Sequence, residues 1–227
     1  MEYKVVGGEA FPFLRVRLAT GETVKAESNA MVMMRGGLSL TGKMDGGIGR
    51  AIGRMFSGES LFMQEITADK GPGEVMLATF LPGTMNKIDI VGDTLLVQAG
   101  SFLACDAGVE VSTKVQSLGK AIFGGEGLFV SKVTGNGSVI VSSYGGIQQI
   151  TLREGEEVVI DNGHLVAWDG YMDYKITKGG NGWFRSVLSG EVLALRFRGP
   201  GRIWIQSRNL KDFENWIKSL MPRRRNG

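Results

Sequence analysis

The chain has one cysteine, Cys105, and one histidine, His164, in 227 residues. A single thiol excludes an intramolecular disulfide, and a single imidazole excludes a histidine-rich metal centre. The lone thiol fits a reducing compartment. Proline is scarce, at five residues, and no low-complexity tract occurs, which excludes collagen-like and disordered chains. No apolar run reaches the length of about 18 residues that a membrane-spanning helix needs. The opening Met1-Glu2-Tyr3-Lys4-Val5 lacks the basic leader and apolar stretch of a secretory signal, so the cytoplasm is the expected location. Charge of one sign is missing too. The 26 basic and 23 acidic residues leave a net charge of +3, and Arg223, Arg224 and Arg225 at the tail account for it. Nucleic-acid binders carry their basic excess on a folded face. DNA is therefore not an expected partner, and RNA is disfavoured.

Glycine is what the chain has in excess, 35 residues of 227, about twice the usual ~7%. The glycines stand singly or in pairs between short apolar runs, the punctuation of a turn-rich β protein. They also repeat. Gly58-Glu59, Gly125-Glu126 and Gly190-Glu191 lie 67 and then 65 residues apart, each followed by an apolar segment. A basic residue and two apolar ones precede each pair, within 53–57, 120–124 and 185–189. Gly-Pro-Gly occurs at 71–73 and 199–201, and Gly135-Asn136-Gly137 takes the corresponding place between them.

A second block aligns without gaps in three copies, Thr20–Met33, Val91–Ala104 and Glu154–Ala167. Each copy has a Gly-acid turn, a strand, a polar residue (Glu27, Gln98, Asp161), a tight turn and a second strand. Asn29, Gly100 and Gly163 share the turn position where a positive φ is expected. The register continues through Leu38/Val109/Met172 and Leu40/Val111/Tyr174. Period-2 alternation marks strands at Val16/Leu18, Ile88/Ile90 and Ile150/Leu152, and at Leu193/Leu195/Phe197.

The organisation that follows is module one over 1–78, with a Gly-rich insert, module two over 79–143 and module three over 144–207. A C-terminal helix and basic tail fill 208–227. Asn209 is the expected N-cap of that helix, Leu210, Phe213, Trp216, Ile217 and Leu220 fall at helical spacing, and Pro222 ends it. The helix is expected to cover a sheet edge.

The three Gly-Glu-x-Leu motifs, the Gly-Pro-Gly turns and Asp161-Asn162-Gly163-His164-Leu165-Val166-Ala167 resemble a family whose eukaryotic members are named for altered inheritance of mitochondria. The resemblance spans about residues 10–207. It implies an all-β fold of three double-stranded β-helix-like modules in pseudo-threefold arrangement. Each module would be similar to a subunit of the ring-forming tryptophan RNA-binding attenuation protein. It implies no enzymatic activity.

Among candidate site residues, Glu59, Glu126 and Glu191 occupy equivalent positions. They would either converge near the pseudo-axis on a cation or each close its own turn. The insert from Arg35 through Phe56 has glycines but no Gly-x-x-x-x-Gly-Lys-Ser/Thr. It reads as a crossover packed on its own core, with a peripheral membrane or protein contact as the other reading. Cys105 and His164 read as structural. Trp183 is the one candidate for stacking a base, and Trp204 reads equally as core. Ser, Asp and Glu are too scattered to form a nucleophile–base pair, so no enzyme activity and no cofactor are expected. The expected function is a non-enzymatic binding or scaffolding protein that self-associates into a homo-oligomer. The alternatives are RNA binding by analogy of fold and a small-molecule or cation site at the pseudo-axis.

Overall fold

The computed structural model describes residues 1–42, 63–116, 128–177 and 193–222. Glu59, Glu126, Glu191, Trp183, most of the insert and the tail arginines lie outside them. The fold is all-β with one C-terminal helix, as expected. In chain order the strands are β1 (Glu2–Gly7), β2 (Pro12–Leu18), β3 (Thr23–Glu27), β4 (Met31–Gly36), β5 (Ser39–Gly42), β6 (Met63–Thr67) and β7 (Gly73–Leu77). There follow β8 (Met85–Gln98), β9 (Phe102–Asp106), β10 (Val109–Gln116) and β11 (Leu128–Ser142). The last group is β12 (Ile147–Leu152), β13 (Glu157–Asp161), β14 (Leu165–Asp169), β15 (Asp173–Thr177), β16 (Ala194–Arg198) and β17 (Gly201–Gln206), before helix α1 (Leu210–Leu220). No helix of the described residues is long and apolar enough to cross a membrane.

The same antiparallel pairings recur along the chain. In the first stretch β2 and β4 flank β7, while β3 and β5 flank β6. In the last stretch β12 and β14 flank β17, while β13 and β15 flank β16. In the middle, two long strands do the work of four. The first half of β8 pairs with the second half of β11, its second half pairs with the first half of β11, and β9 and β10 lie outside them. The hinge between these halves is glycine. Gly21, Gly92 and Gly155, at one position of the aligned blocks, have φ of +85°, +70° and +80°, a region open to glycine without steric cost. At Gly92 the expected turn is a kink inside β8 rather than a reversal.

Neighbouring stretches are joined by continuing the sheet sideways. β3 pairs with β9 through Val24↔Asp106, Lys25↔Cys105 and Ala26↔Ala104. β8 pairs with β14 through Leu95↔Asp169, Leu96↔Trp168 and Val97↔Ala167. In the gapless alignment these two junctions match residue for residue. The cores follow the junctions. Leu103 and Ala104 of β9 complete the first cluster, around Val16, Ile66 and Leu77. Val166 and Ala167 of β14 complete the second, around Ile88, Val97 and Val139. The third, around Trp168, Leu195 and Phe197, receives Leu96 and Val130 from the middle stretch. A closed threefold would need a third junction, between β13 and β4. Among the described residues no strand pairs with the free side of either.

Each stretch also carries a polar cross-strand pair at one aligned site. Asp106 accepts from the Ser138 amide (2.8 Å), and Asp169 accepts from the Arg202 amide (2.8 Å) and guanidinium (2.9 and 3.1 Å). In the first stretch the signs are reversed, and Arg35 reaches buried Glu74 at 3.0 Å. Burial by itself would raise the Glu74 carboxyl. The Arg17 hydrogen bond and the charges of Arg35 and Arg15 outweigh it and hold the group below its ordinary value. β1, which no repeat announces, pairs with Pro12 to Arg17 of β2. Its Tyr3 hydroxyl donates to Asp106 (2.7 Å), and burial, then that bond, push the hydroxyl far above its ordinary value.

Three outcomes follow from these contacts. Asp169→Ala leaves the Arg202 groups without their acceptor, and we expect a loss of about 3 kcal/mol in urea denaturation. Asp89→Ala, at an exposed Lys87 pair, should cost less than about 0.5 kcal/mol. The folded state holds Tyr3 protonated, so stability falls as pH rises past the unfolded tyrosine value of about 10. Tyr3→Phe should flatten that alkaline fall in a melting-temperature profile.

Candidate functional site

The polar residue and tight turn of each aligned block lead to one place. Glu27 ends β3, Gln98 ends β8, and Asn162 follows β13. The first two turns close by i→i+3 backbone bonds, Ala30 to the Glu27 carbonyl and Ser101 to the Gln98 carbonyl (both 3.0 Å). The third is a short 3-10 turn, Asn162–His164, in which Asp161 accepts from the Gly163 amide (2.8 Å). All three turns line a cavity of about 370 Å³. It opens beside a larger cleft of about 870 Å³, bounded by Pro82–Thr84, Tyr144–Gly146 and α1.

The polar lining of the smaller cavity mixes the Glu27 carboxyl with the amides of Gln98, Asn162 and Asn209 and the hydroxyls of Thr79, Ser101, Ser142 and Ser143. The Gln98 Oε1 and Asn162 Oδ1 atoms are buried and have no hydrogen-bond partner. Burial alone pushes the Glu27 carboxyl up from its ordinary value. No lysine, arginine or histidine is among the lining residues, and Leu81, Leu165 and Leu210 supply apolar wall. Gln206 is fully engaged, accepting from the Tyr144 amide (2.8 Å) and donating to the Gly163 carbonyl (3.0 Å).

Positive φ holds at Gly100 (+82°), but Gly163 has no positive φ. The reason for glycine there is contact: a Cβ would run into the Asn209 side chain. Asn209 is the N-cap of α1 as expected, accepting from the Lys211 amide (2.9 Å). The expected cover of a sheet edge by α1 is not seen. None of its residues is buried, and Trp216 is 56% exposed; Phe213 meets Tyr144 edge-on with ring centroids 6.1 Å apart.

The other named residues are structural, as read from sequence. Cys105 is buried in the second core, and desolvation pushes its thiol up to about 12. His164 Nδ1 donates to the Gln206 carbonyl (2.8 Å). Trp204 is core, with the Arg202 guanidinium 5.1 Å from its ring centroid. Among the described residues no three His, Cys, Asp or Glu side chains form a metal-binding group.

The second feature that could bind is the unmade junction. Val32 aligns with Leu103 and Val166, which are wholly buried, yet Val32 is 55% exposed and Met31 beside it 37%. Strand β4 shows the burial pattern of a free edge where β9 and β14 are enclosed. In β13, Val158 and Val159 are half-buried.

Comparison with known proteins places these features in a family. The family model described as mitochondrial biogenesis AIM24 matches residues 3–208. An uncharacterised protein of Streptococcus pyogenes serotype M6 is 36% identical over 230 residues, covering 98% of this chain and 92% of its own length. A crystal structure of a Streptococcus pyogenes protein superposes with a TM-score of 0.78 at 31% identity, covering 97% of this chain and 99% of that one.

The turn–helix contact is testable. Gly163→Ala should displace Asn209 and uncap α1, costing about 1 kcal/mol of helix stability and lowering the helical far-ultraviolet signal. Asn209→Ala should do the same. The double variant should cost no more than either one alone, because both remove one interaction.

Proposed function

Because this chain belongs to the mitochondrial biogenesis AIM24 family, and its bacterial relative is itself uncharacterised, we propose its function from its geometry. It is a non-enzymatic scaffold that assembles copies of itself through the free edges of β4 and β13. The observation that carries this reading is the repeated junction. Two neighbouring stretches join by one register, and the halves of a third such junction stand unpaired at opposite ends of the series. Unpaired edges carrying exposed apolar side chains recruit strands. Repetition of the register gives the contact between copies: Val158↔Arg35, Val159↔Met34 and Ile160↔Met33. The surface is heterologous, since one edge meets a different edge. A non-enzymatic role is supported by the burial of Cys105 and the engagement of His164, and a cytoplasmic site by a thiol that is single and enclosed.

Light scattering of the full chain should give a mass above 24.5 kDa that rises with concentration. Val32→Lys, tolerated where Val32 is exposed, should return the mass to one copy with the melting temperature unchanged. Met34→Cys with Val159→Cys should give a ladder of disulfide-linked multimers under oxidation, while Met34→Cys alone should give none. A single-copy mass for the parent chain, or cross-linking only within one chain, would overturn the proposal.

A further inference from the structure

Helix α1 carries an apolar face that the described residues do not cover. Leu210, Phe213, Trp216, Ile217 and Leu220 fall within one arc of about 120° at helical spacing. Ile217 is half-buried, while Trp216, Leu220 and the following Met221 are more than half exposed. Aromatic side chains from other elements gather beside this arc. Phe80, 100% exposed, lines the smaller cavity together with Leu210. Phe11, 73% exposed, follows Ala10, which lines the larger cleft together with Phe213 and Trp216. Contiguous exposed apolar surface of this kind marks a place of contact.

The same segment holds the positive charge of the chain. Residues 208–227 contain six basic and two acidic side chains, whereas residues 1–207 contain 20 and 21. On α1, Lys211 and Lys218 share one side of the polar face, and Lys218 also pairs with Glu214. Glu9 and Asp212 line the cleft, where Arg208 offsets one of them. The 11 residues of α1 span roughly 16 Å, about half the hydrocarbon thickness of a bilayer. The helix can therefore lie in a membrane surface but not cross it. Trp216 stands at the margin of the arc, and tryptophan is a residue type that settles at headgroup level. A groove on another protein would match the apolar arc without accounting for charge of one sign around it. An anionic bilayer matches both.

We propose that α1, with Phe11 and Phe80 beside it, docks this protein on the surface of an anionic phospholipid bilayer. The apolar arc enters the boundary between headgroups and acyl chains, and the basic side chains of 208–227 draw the segment to the phosphates. Neither β4 nor β13 takes part, so this surface and the assembly of copies stand or fall separately.

Flotation of the full chain with vesicles of phosphatidylglycerol and phosphatidylcholine in equal parts tests it. We expect the protein to float with these vesicles and to bind pure phosphatidylcholine about tenfold more weakly or less. Trp216→Glu combined with Leu220→Glu should abolish flotation with the melting temperature unchanged, since both side chains are exposed. Removing Arg223 to Gly227 should weaken binding about a hundredfold, at roughly fivefold for each arginine. Lipids brominated on the acyl chain should quench the fluorescence of the bound protein. Trp216→Phe should lose most of that quenching while still floating, because Trp168 and Trp204 are enclosed in the core. Failure to float, flotation that survives the double glutamate variant, equal binding to pure phosphatidylcholine, or quenching unchanged in Trp216→Phe would each overturn the proposal. No flotation of the parent chain, with higher-mass species in light scattering that the double glutamate variant loses, would overturn it in favour of contact between copies.

Discussion

Everything in this fold depends on sideways continuation of the sheet. A strand has two hydrogen-bonding edges, and an edge left open inside a protein leaves backbone groups without partners. Within each stretch, four pairings satisfy some of these edges, but the outer edges of β3, β8, β9 and β14 are satisfied only by the adjoining stretch. The cores obey the same demand. Leu103 and Ala104 are strand residues of the middle stretch, yet they pack among side chains of the first. Hydrogen bonding and apolar burial are thus met by one contact, and a junction that fails in one respect fails in both. That coupling explains why the open side of β4 also shows its valine to solvent.

Much of this was legible in the sequence because turns need particular residues. Gly21, Gly92 and Gly155 repeat since the backbone there adopts a positive φ. Leu38, Val109 and Met172 repeat since each faces a core. The period-2 pairs were equally readable, Val16/Leu18 and Ile88/Ile90 being buried strand residues. What did not repeat was not read. β1 has no counterpart in the other two stretches, and its short alternation, Tyr3 and Val5, is too weak a signal on its own. The role of Gly163 was misread because glycine answers both to φ and to close approach, and only the neighbouring Asn209 separates the two reasons.

The site was less legible than the fold. Repetition drew attention to Glu59, Glu126 and Glu191, which lie outside the described residues, whereas the described cavity is lined by Glu27, Gln98 and Asn162. The first two were visible as the polar residue of each block, though their sequence positions say nothing about convergence. Asn162 was hidden because its neighbour Asp161 holds the aligned position and spends its side chain on the Gly163 amide. The free acceptor is therefore displaced by one residue, a shift that alignment cannot reveal.

The composition of the first core has a consequence for how the protein emerges from the ribosome. That cluster contains Met85, Leu103, Ala104 and Ile140 beside the residues of β2, β3, β6 and β7. A nascent chain that has delivered only residues 1–78 holds most of the cluster without the side chains that close it. Synthesis must proceed past Ile140 before the oldest part of the polypeptide can be sealed. Strands β2, β3, β6 and β7 consequently wait, exposed, until β11 has been made.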